Sequence, residues 1–174
     1  DLMAFGGHLF YEKEESPTFV TDFCTSFYGL NKADARACGE LIWQLHAVAP
    51  ERPEYCRLIQ QPQDLTREDR RRFGVMAVTA RQVERHLKPL VKKAKRNGDR
   101  LNDYVLSARI MQVVGRFGKS GGKKAAVGNI GPLLKACNKS WQSTKDEPWD
   151  TFEYPYTGTE WLLPTLKSLP MLGS

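Results

Sequence analysis

Long apolar runs are missing from this chain: they last only a few residues, so no segment is suited to crossing a bilayer. A secretory leader is not readable either, because Asp1, Glu12, Glu14 and Glu15 put charge into the N-terminus. The start at Asp1 in place of Met leads us to expect an excised or processed product, from which an earlier leader would leave no trace. No C-x-x-C pair occurs among Cys24, Cys38, Cys56 and Cys137, and His8, His46 and His86 are scattered, so a zinc site with local ligand spacing is not expected. Two disulfides are arithmetically open. Cys24, Cys38 and Cys137 nevertheless fall among apolar residues of apparent helices, which favours buried reduced thiols and a cytoplasmic or nuclear compartment. Internal repeats are absent and β-branched alternation is scarce, which argues against a sheet.

What is present suffices for a folded domain. Hydrophobic residues make up 41% of the 174-residue chain, enough for a core in one unit. We expect a single all-α domain over residues 1–174 with about six helices. Residues 1–15 form an N-terminal extension, 16–49 a helical hairpin, 66–124 a basic helical region, and 143–174 an aromatic, Pro-rich tail packed over the helices.

Start and stop signals support that division. Ser16-Pro17 opens a helix carrying Phe19, Val20, Phe23, Cys24, Phe27 and Tyr28, and Gly29 stops it. Asn31 caps the next, whose stripe is Ala35, Cys38, Leu41, Ile42 and Leu45, with Pro50 beyond. Residues 50–65 hold three prolines and read as a loop with a short ordered piece around 55–59. Thr66, followed by Glu68 and Asp69, starts a helix that weakens at Gly74. Thr79 with Gln82 reads as a second capping box, opening a helix over 80–96 that Asn97-Gly98 closes. Asp99 caps a helix to about Phe117 with apolar residues around most of its circumference, the pattern of a central element. Residues 118–122 read as a loop, Gly131-Pro132 opens a helix to about Trp141, and Thr159 caps a last short helix around 161–163.

Charge is the most informative presence. Seventeen of the 26 Lys and Arg residues lie between Thr66 and Lys124 against five acids, a net of +12, while the rest of the chain sums to −6. At 100° per residue, Arg81, Arg85, Lys88, Lys92 and Lys95 fall on one side of the 80–96 helix. Arg96 adds to the same edge, opposite Val83, Leu87, Leu90, Val91 and Ala94, with Glu84 alone on a flank. Like charges at i,i+4 repel, so folding alone does not favour the column, whereas a bound polyanion would relieve it. A plainly solvated basic face is the competing explanation. An anionic membrane surface fits less well, because the apolar side carries no Trp or Phe. Pro89 is expected to shape the column without ending it. Of Arg70, Arg71 and Arg72, one or two would join the column and another pair with Glu68 or Asp69.

Residues 115–124 (Gly-Arg-Phe-Gly-Lys-Ser-Gly-Gly-Lys-Lys) look like a phosphate loop but fail the spacing test. Five residues before Gly118-Lys119-Ser120 stands Val113, and the segment follows a helix, not a strand. What remains is a glycine-rich loop whose N–H groups and cations Arg116, Lys119, Lys123 and Lys124 would approach phosphates, or else an ordinary solvated loop. The aromatic cluster Trp141, Trp149, Phe152, Tyr154, Tyr156 and Trp161 is interleaved with Asp146, Glu147, Asp150 and Glu153. These acids would repel phosphates, so the aromatics read better as anchors of the tail than as base-stacking platforms. Ser107, Ser120 and Ser140 lack a nearby His–acid pattern and no carboxylate pair is spaced for acid–base work, so neither catalytic residues nor a cofactor is expected.

The expected function is recognition of an RNA or DNA backbone. Arg81, Arg85, Lys88, Lys92, Lys95 and Arg96 form the main track, Arg70, Arg71 and Arg72 extend it, and Arg116, Lys119, Lys123 and Lys124 make a second contact. A viral or phage-type nucleoprotein, or a replication or transcription accessory factor, would fit the size and charge. The alternative is a helical interaction module whose basic face docks an acidic partner protein or the acidic N-terminal half of another copy.

Overall fold

Two antiparallel helices carry most of the interior. In the computed structural model, which describes residues 16–50 and 52–142, α4 (Arg67–Lys93) lies along α5 (Gly98–Lys119) in the most extensive helix pairing of the molecule. Before them come α1 (Ser16–Tyr28), α2 (Lys32–Ala47) and α3 (Arg52–Gln60), and after them α6 (Gly131–Gln142). Short 3-10 turns stand at Pro62–Asp64 and Lys124–Ala126, and no strand occurs among the described residues. The fold is all-α. The N-terminal extension, the aromatic tail and the helix expected around 161–163 lie outside the described residues.

The pairing of α4 with α5 depends on missing side chains. A Cβ on Gly118 would enter the ring of the fully buried Phe73, and one on Gly115 would stand 2.6 Å from the Phe73 carbonyl and 2.8 Å from the Ala77 side chain. Glycine in mid-helix costs about 1 kcal/mol against alanine, and here the close approach it permits offsets that. Phe73, Met76, Ala80, Val83, Leu87 and Leu90 of α4 meet Leu101, Val105, Ala108, Met111, Val114 and Phe117 of α5 in one core. Each large side chain so buried contributes about 1.5–3 kcal/mol. Buried residues surround most of α5, as its sequence implied, because α4 covers one side and α6 another.

The helical hairpin α1–α2 is present, drawn close where Gly39 faces the Thr21 backbone. Asn31 caps α2 by accepting from the Asp34 N–H at 2.9 Å. Cys24, Cys38 and Cys137 are buried free thiols. The end of α1 is tied to the α4–α5 connection: Gly29 takes φ +65°, and the N–H groups of Lys95 and Arg96 donate to the Tyr28 carbonyl at 3.0 and 3.2 Å. Asn97 Nδ2 and Arg96 Nη2 satisfy the Phe27 and Ser26 carbonyls, completing a cap made by residues about seventy positions away.

Three expectations are corrected. Residues 52–60 form a full helix, not a short ordered piece in a loop, because Glu54 and Arg57 pair with Arg72 and Asp69 of α4 and Leu58 is fully buried. There is no break at Gly74 and no capping box at Thr79. One helix runs from Arg67 to Lys93, and its capping box is at Thr66 and Asp69, each accepting the other's N–H at 3.0 and 2.9 Å. Packing of Phe73, Met76 and Ala80 on α5 spans the supposed break, and tertiary burial outweighs a local start signal. Finally, Gly118 and Lys119 belong to α5, so the loop starts later than expected.

Candidate nucleic-acid interface

The exposed side of α4 divides in two. In its first half Arg70, Arg71 and Arg72 are occupied, while Arg67, the first residue of the helix, is exposed without a partner among the described residues. Arg71 holds Glu68 with two bonds at 2.7 and 2.8 Å, which keep that carboxyl at about 2. Arg72 reaches Glu54 at 2.5 Å and Glu68 at 3.4 Å. Arg70 donates to the carbonyls of Leu65 and Gln63. The expected pairing with Glu68 is thus present, made by both Arg71 and Arg72, and Arg70 is engaged by backbone carbonyls, so each of the three finds a local acceptor.

In the second half, Arg81, Arg85 and Lys92 are exposed and have no hydrogen-bond or ion-pair partner among the described residues. Lys88 stands with them but donates to Glu84 at 2.7 Å. Glu84 also accepts from Arg109 Nε at 2.7 Å and Gln112 Nε2 at 2.6 Å. Burial pushes its carboxyl up, but the bonds from Lys88, Gln112 and Arg109 outweigh that and hold it at about 2. The one acid in this half is thus saturated by three donors, two of them from α5. It offsets Lys88 and leaves Arg81, Arg85 and Lys92 uncompensated.

Lys95 and Arg96 do not continue the column. The helix stops at Lys93 with Ala94 as its C-cap, so both residues leave the 100° register. Their N–H groups cap α1, and the Arg96 guanidinium is bound to Ser26. Lys93, off the column, pairs with Asp34 of α2 at 2.7 Å.

The glycine-rich segment is a helix ending, not a phosphate cradle. The N–H groups of Ser120, Gly121 and Gly122 donate to the carbonyls of Arg116, Gly118 and Phe117, and that of Lys123 donates to the Ser120 hydroxyl. Every N–H from 120 to 123 is engaged, so none is left to cradle an anion. Gly121 and Gly122, at φ +69° and +85°, supply the left-handed turn of a Schellman-type end. Gly122 lies against Pro62 and Gly121 against the Arg70 guanidinium, leaving no room for a Cβ at Gly122. Of the four cations assigned there, Arg116 reaches the Val127 carbonyl at 3.5 Å, and Lys123 is exposed without a side-chain partner among the described residues. The Lys124 side chain lies outside the described residues.

Lys119 is brought somewhere the sequence does not indicate. Its stem crosses Gly74 of α4, with Cδ 3.3 Å from where a Cβ would stand. Gly74 shares the helical phase of Arg81 and Lys92, so an α5 lysine occupies an α4 position that has no side chain. Lys119, Arg81, Arg85, Lys88 and Lys92 thus follow one edge, with about 27 Å of helix axis from Gly74 to Lys92.

Two apolar residues that sequence reasoning missed complete the face. Val75 and Val78 are 47% and 58% exposed beside the cations. Val78, Arg81, Gln82, Glu84, Arg85 and Lys88 line an open depression of about 480 Å³. Reading α4 as two helices hid these valines; on one continuous helix their angle to the buried stripe predicts exposure. The clamp of Arg109 and Gln112 on Glu84 had no signal in the sequence, since it joins residues 25 and 28 apart across a helix pair. Among the described residues no group of His, Cys, Asp or Glu is placed to hold a metal, and no helix is long and apolar enough to cross a membrane. No protein-family model, no curated protein and no solved structure matches this chain.

Proposed function

We propose that the chain binds the sugar-phosphate backbone of RNA or DNA along the second half of α4, with Arg81, Arg85, Lys88 and Lys92 as the track and Lys119 extending it. The observation that carries this reading is the uncompensated state of Arg81, Arg85 and Lys92 on one helix edge. Elsewhere on α4, Arg70, Arg71, Arg72 and Lys93 have acceptors, so lack of a partner is not general to its basic residues. Counterion release on phosphate binding supplies the affinity, and the lack of aromatic side chains at these positions favours backbone over base recognition. Four phosphate contacts predict a fall of about two decades in affinity between about 50 and 200 mM salt. Fluorescence anisotropy with a short labelled RNA or DNA measures this. The triple substitution Arg81→Glu, Arg85→Glu and Lys92→Glu abolishes the salt-dependent binding; retained binding in that variant assigns the function elsewhere.

A second reading, an acidic protein partner or another copy of the chain, is favoured by Val75 and Val78, because phosphates make no use of exposed valine. It predicts salt-weakened self-association or partner capture with no bound nucleic acid.

A further inference from the structure

The α4 face pairs uncompensated cations with exposed valines, and that combination fits an occupant carrying both acids and aromatic rings. Such a segment exists within the chain. Residues 146–153 read Asp-Glu-Pro-Trp-Asp-Thr-Phe-Glu, with four acids, two aromatics and no cation. We infer that residues 146–153 dock in cis on the second half of α4, setting Trp149 or Phe152 against Val75 and Val78 and the carboxylates against Arg81 and Arg85.

Three observations carry this. The first is charge complementarity: Arg81, Arg85 and Lys92 have no acid among the described residues, and the only carboxylate on their half of α4, Glu84, is saturated. The second is the open depression of about 480 Å³ between side chains of α4 itself, at Val78, Arg81, Gln82, Glu84, Arg85 and Lys88, which places an apolar contact directly beside the cations.

The third is reach. Helix α6 ends at Gln142, and its Ser140 hydroxyl is hydrogen-bonded to Asp103 of α5. Six residues along α5, Arg109 bonds Glu84 of α4. To Val78 that path is about 9 Å along α5, about 8–10 Å across to α4 and about 9 Å further along α4 from Glu84. Trp149 and Phe152 lie seven and ten residues beyond Gln142, and extended chain of those lengths spans up to about 23 and 33 Å before the side chain is added, so Phe152 covers the path. The tether is long enough, and it is short enough to hold the segment at high effective concentration. Another copy could supply the same residues, but only by giving up that advantage.

The docking does not require a nucleic acid. Its consequence for regulation rests on the function proposed above: the acidic segment competes with phosphates, so the apparent affinity of the full chain is reduced by the fraction docked.

Methyl NMR of the full chain tests the docking, with Val75 and Val78 as reporters of a nearby ring. We expect at least one of Trp149→Ala and Phe152→Ala to move the Val75 and Val78 methyl resonances, and added salt to move them the same way. Methyls unaffected by both substitutions overturn the inference. Shifts that vanish on dilution also overturn it, because they place the segment of a second copy on the face. In parallel, replacing Asp146, Glu147, Asp150 and Glu153 by their amides should raise affinity for a short single-stranded RNA about tenfold. A chain that keeps the Trp149- or Phe152-dependent shifts yet binds no nucleic acid supports the docking and removes the proposed function instead.

Discussion

Helix α4 holds two regions with the same kind of residue and opposite circumstances. Residues 70–72 are arginines bound to Glu54, Glu68 and loop carbonyls, with only the terminal Arg67 of that half unpartnered, while residues 81–93 carry Arg81, Arg85 and Lys92 with no partner among the described residues. The difference lies in the neighbours. The first half packs beside α3 and the turn at Pro62–Asp64, which present acids and carbonyls, and the second half has Glu84, already clamped from α5, and Asp34 of α2, which takes Lys93. Density of basic residues alone therefore does not tell which cations are left without a local acceptor.

Four substitutions bear on this comparison. The largest effect is expected at the brace. Gly118→Ala forces a methyl into the Phe73 ring and should cost about 2–3 kcal/mol in urea unfolding, although at an exposed helix position the same change stabilises by about 1 kcal/mol. An unchanged midpoint would mean that the first half of α4 is not held as tightly as the structure shows.

Next, the same change in each half should separate stability from binding. Arg72→Ala weakens the pairing of the buried Glu54 and should lower stability by about 1–2 kcal/mol with little change in affinity. Arg81→Ala should leave stability within about 0.5 kcal/mol and reduce the salt slope of nucleic-acid binding by about one. Equal stability losses at both positions would erase the distinction between the halves.

The smallest effect concerns Glu84. Its carboxyl is held at about 2 against an ordinary 4.5, so its bonds stabilise the folded chain above pH 4.5 and are lost as pH falls toward about 2. Glu84→Gln should flatten acid unfolding in that window and cost on the order of 1 kcal/mol near neutrality after solvent screening. It also frees Lys88, so the salt slope of binding should steepen slightly. Unfolding profiles of the two proteins that coincide throughout the window would show that the clamp contributes nothing.

Much of the helical layout was legible because local chemistry agrees with tertiary packing there. Asn31 caps α2 and Gly29 ends α1 at the expected positions, and the apolar wrap of Leu101 to Phe117 announced a central helix. Thr79 misled because a capping box is worth about 1 kcal/mol, less than the burial of Phe73, Met76 and Ala80 on either side of it. The glycine-rich segment misled for a related reason. Gly115 and Gly118 exist for Phe73, and Gly121 and Gly122 for the turn, but glycines kept for close packing and glycines kept for phosphates look alike in sequence. Of the candidate site, Arg81, Arg85, Lys88 and Lys92 could be placed on one edge in advance, while Arg96 is drawn to the Ser26 carbonyl and Lys95, its side chain exposed, falls past the end of the helix and out of the column's register.

The sequence by itself determined that the chain is helical, that its positive charge is concentrated between residues 66 and 124, and that the cations at 81, 85, 88 and 92 align. These are consequences of composition and a 3.6-residue period, which act within one helix. Tertiary structure alone decided which cations remain available. Some partners are local, as Glu68 is for Arg71 and Glu84 for Lys88, but others lie across a helix pair or beyond a turn, 25 to 70 residues along the chain, where no sequence period reaches.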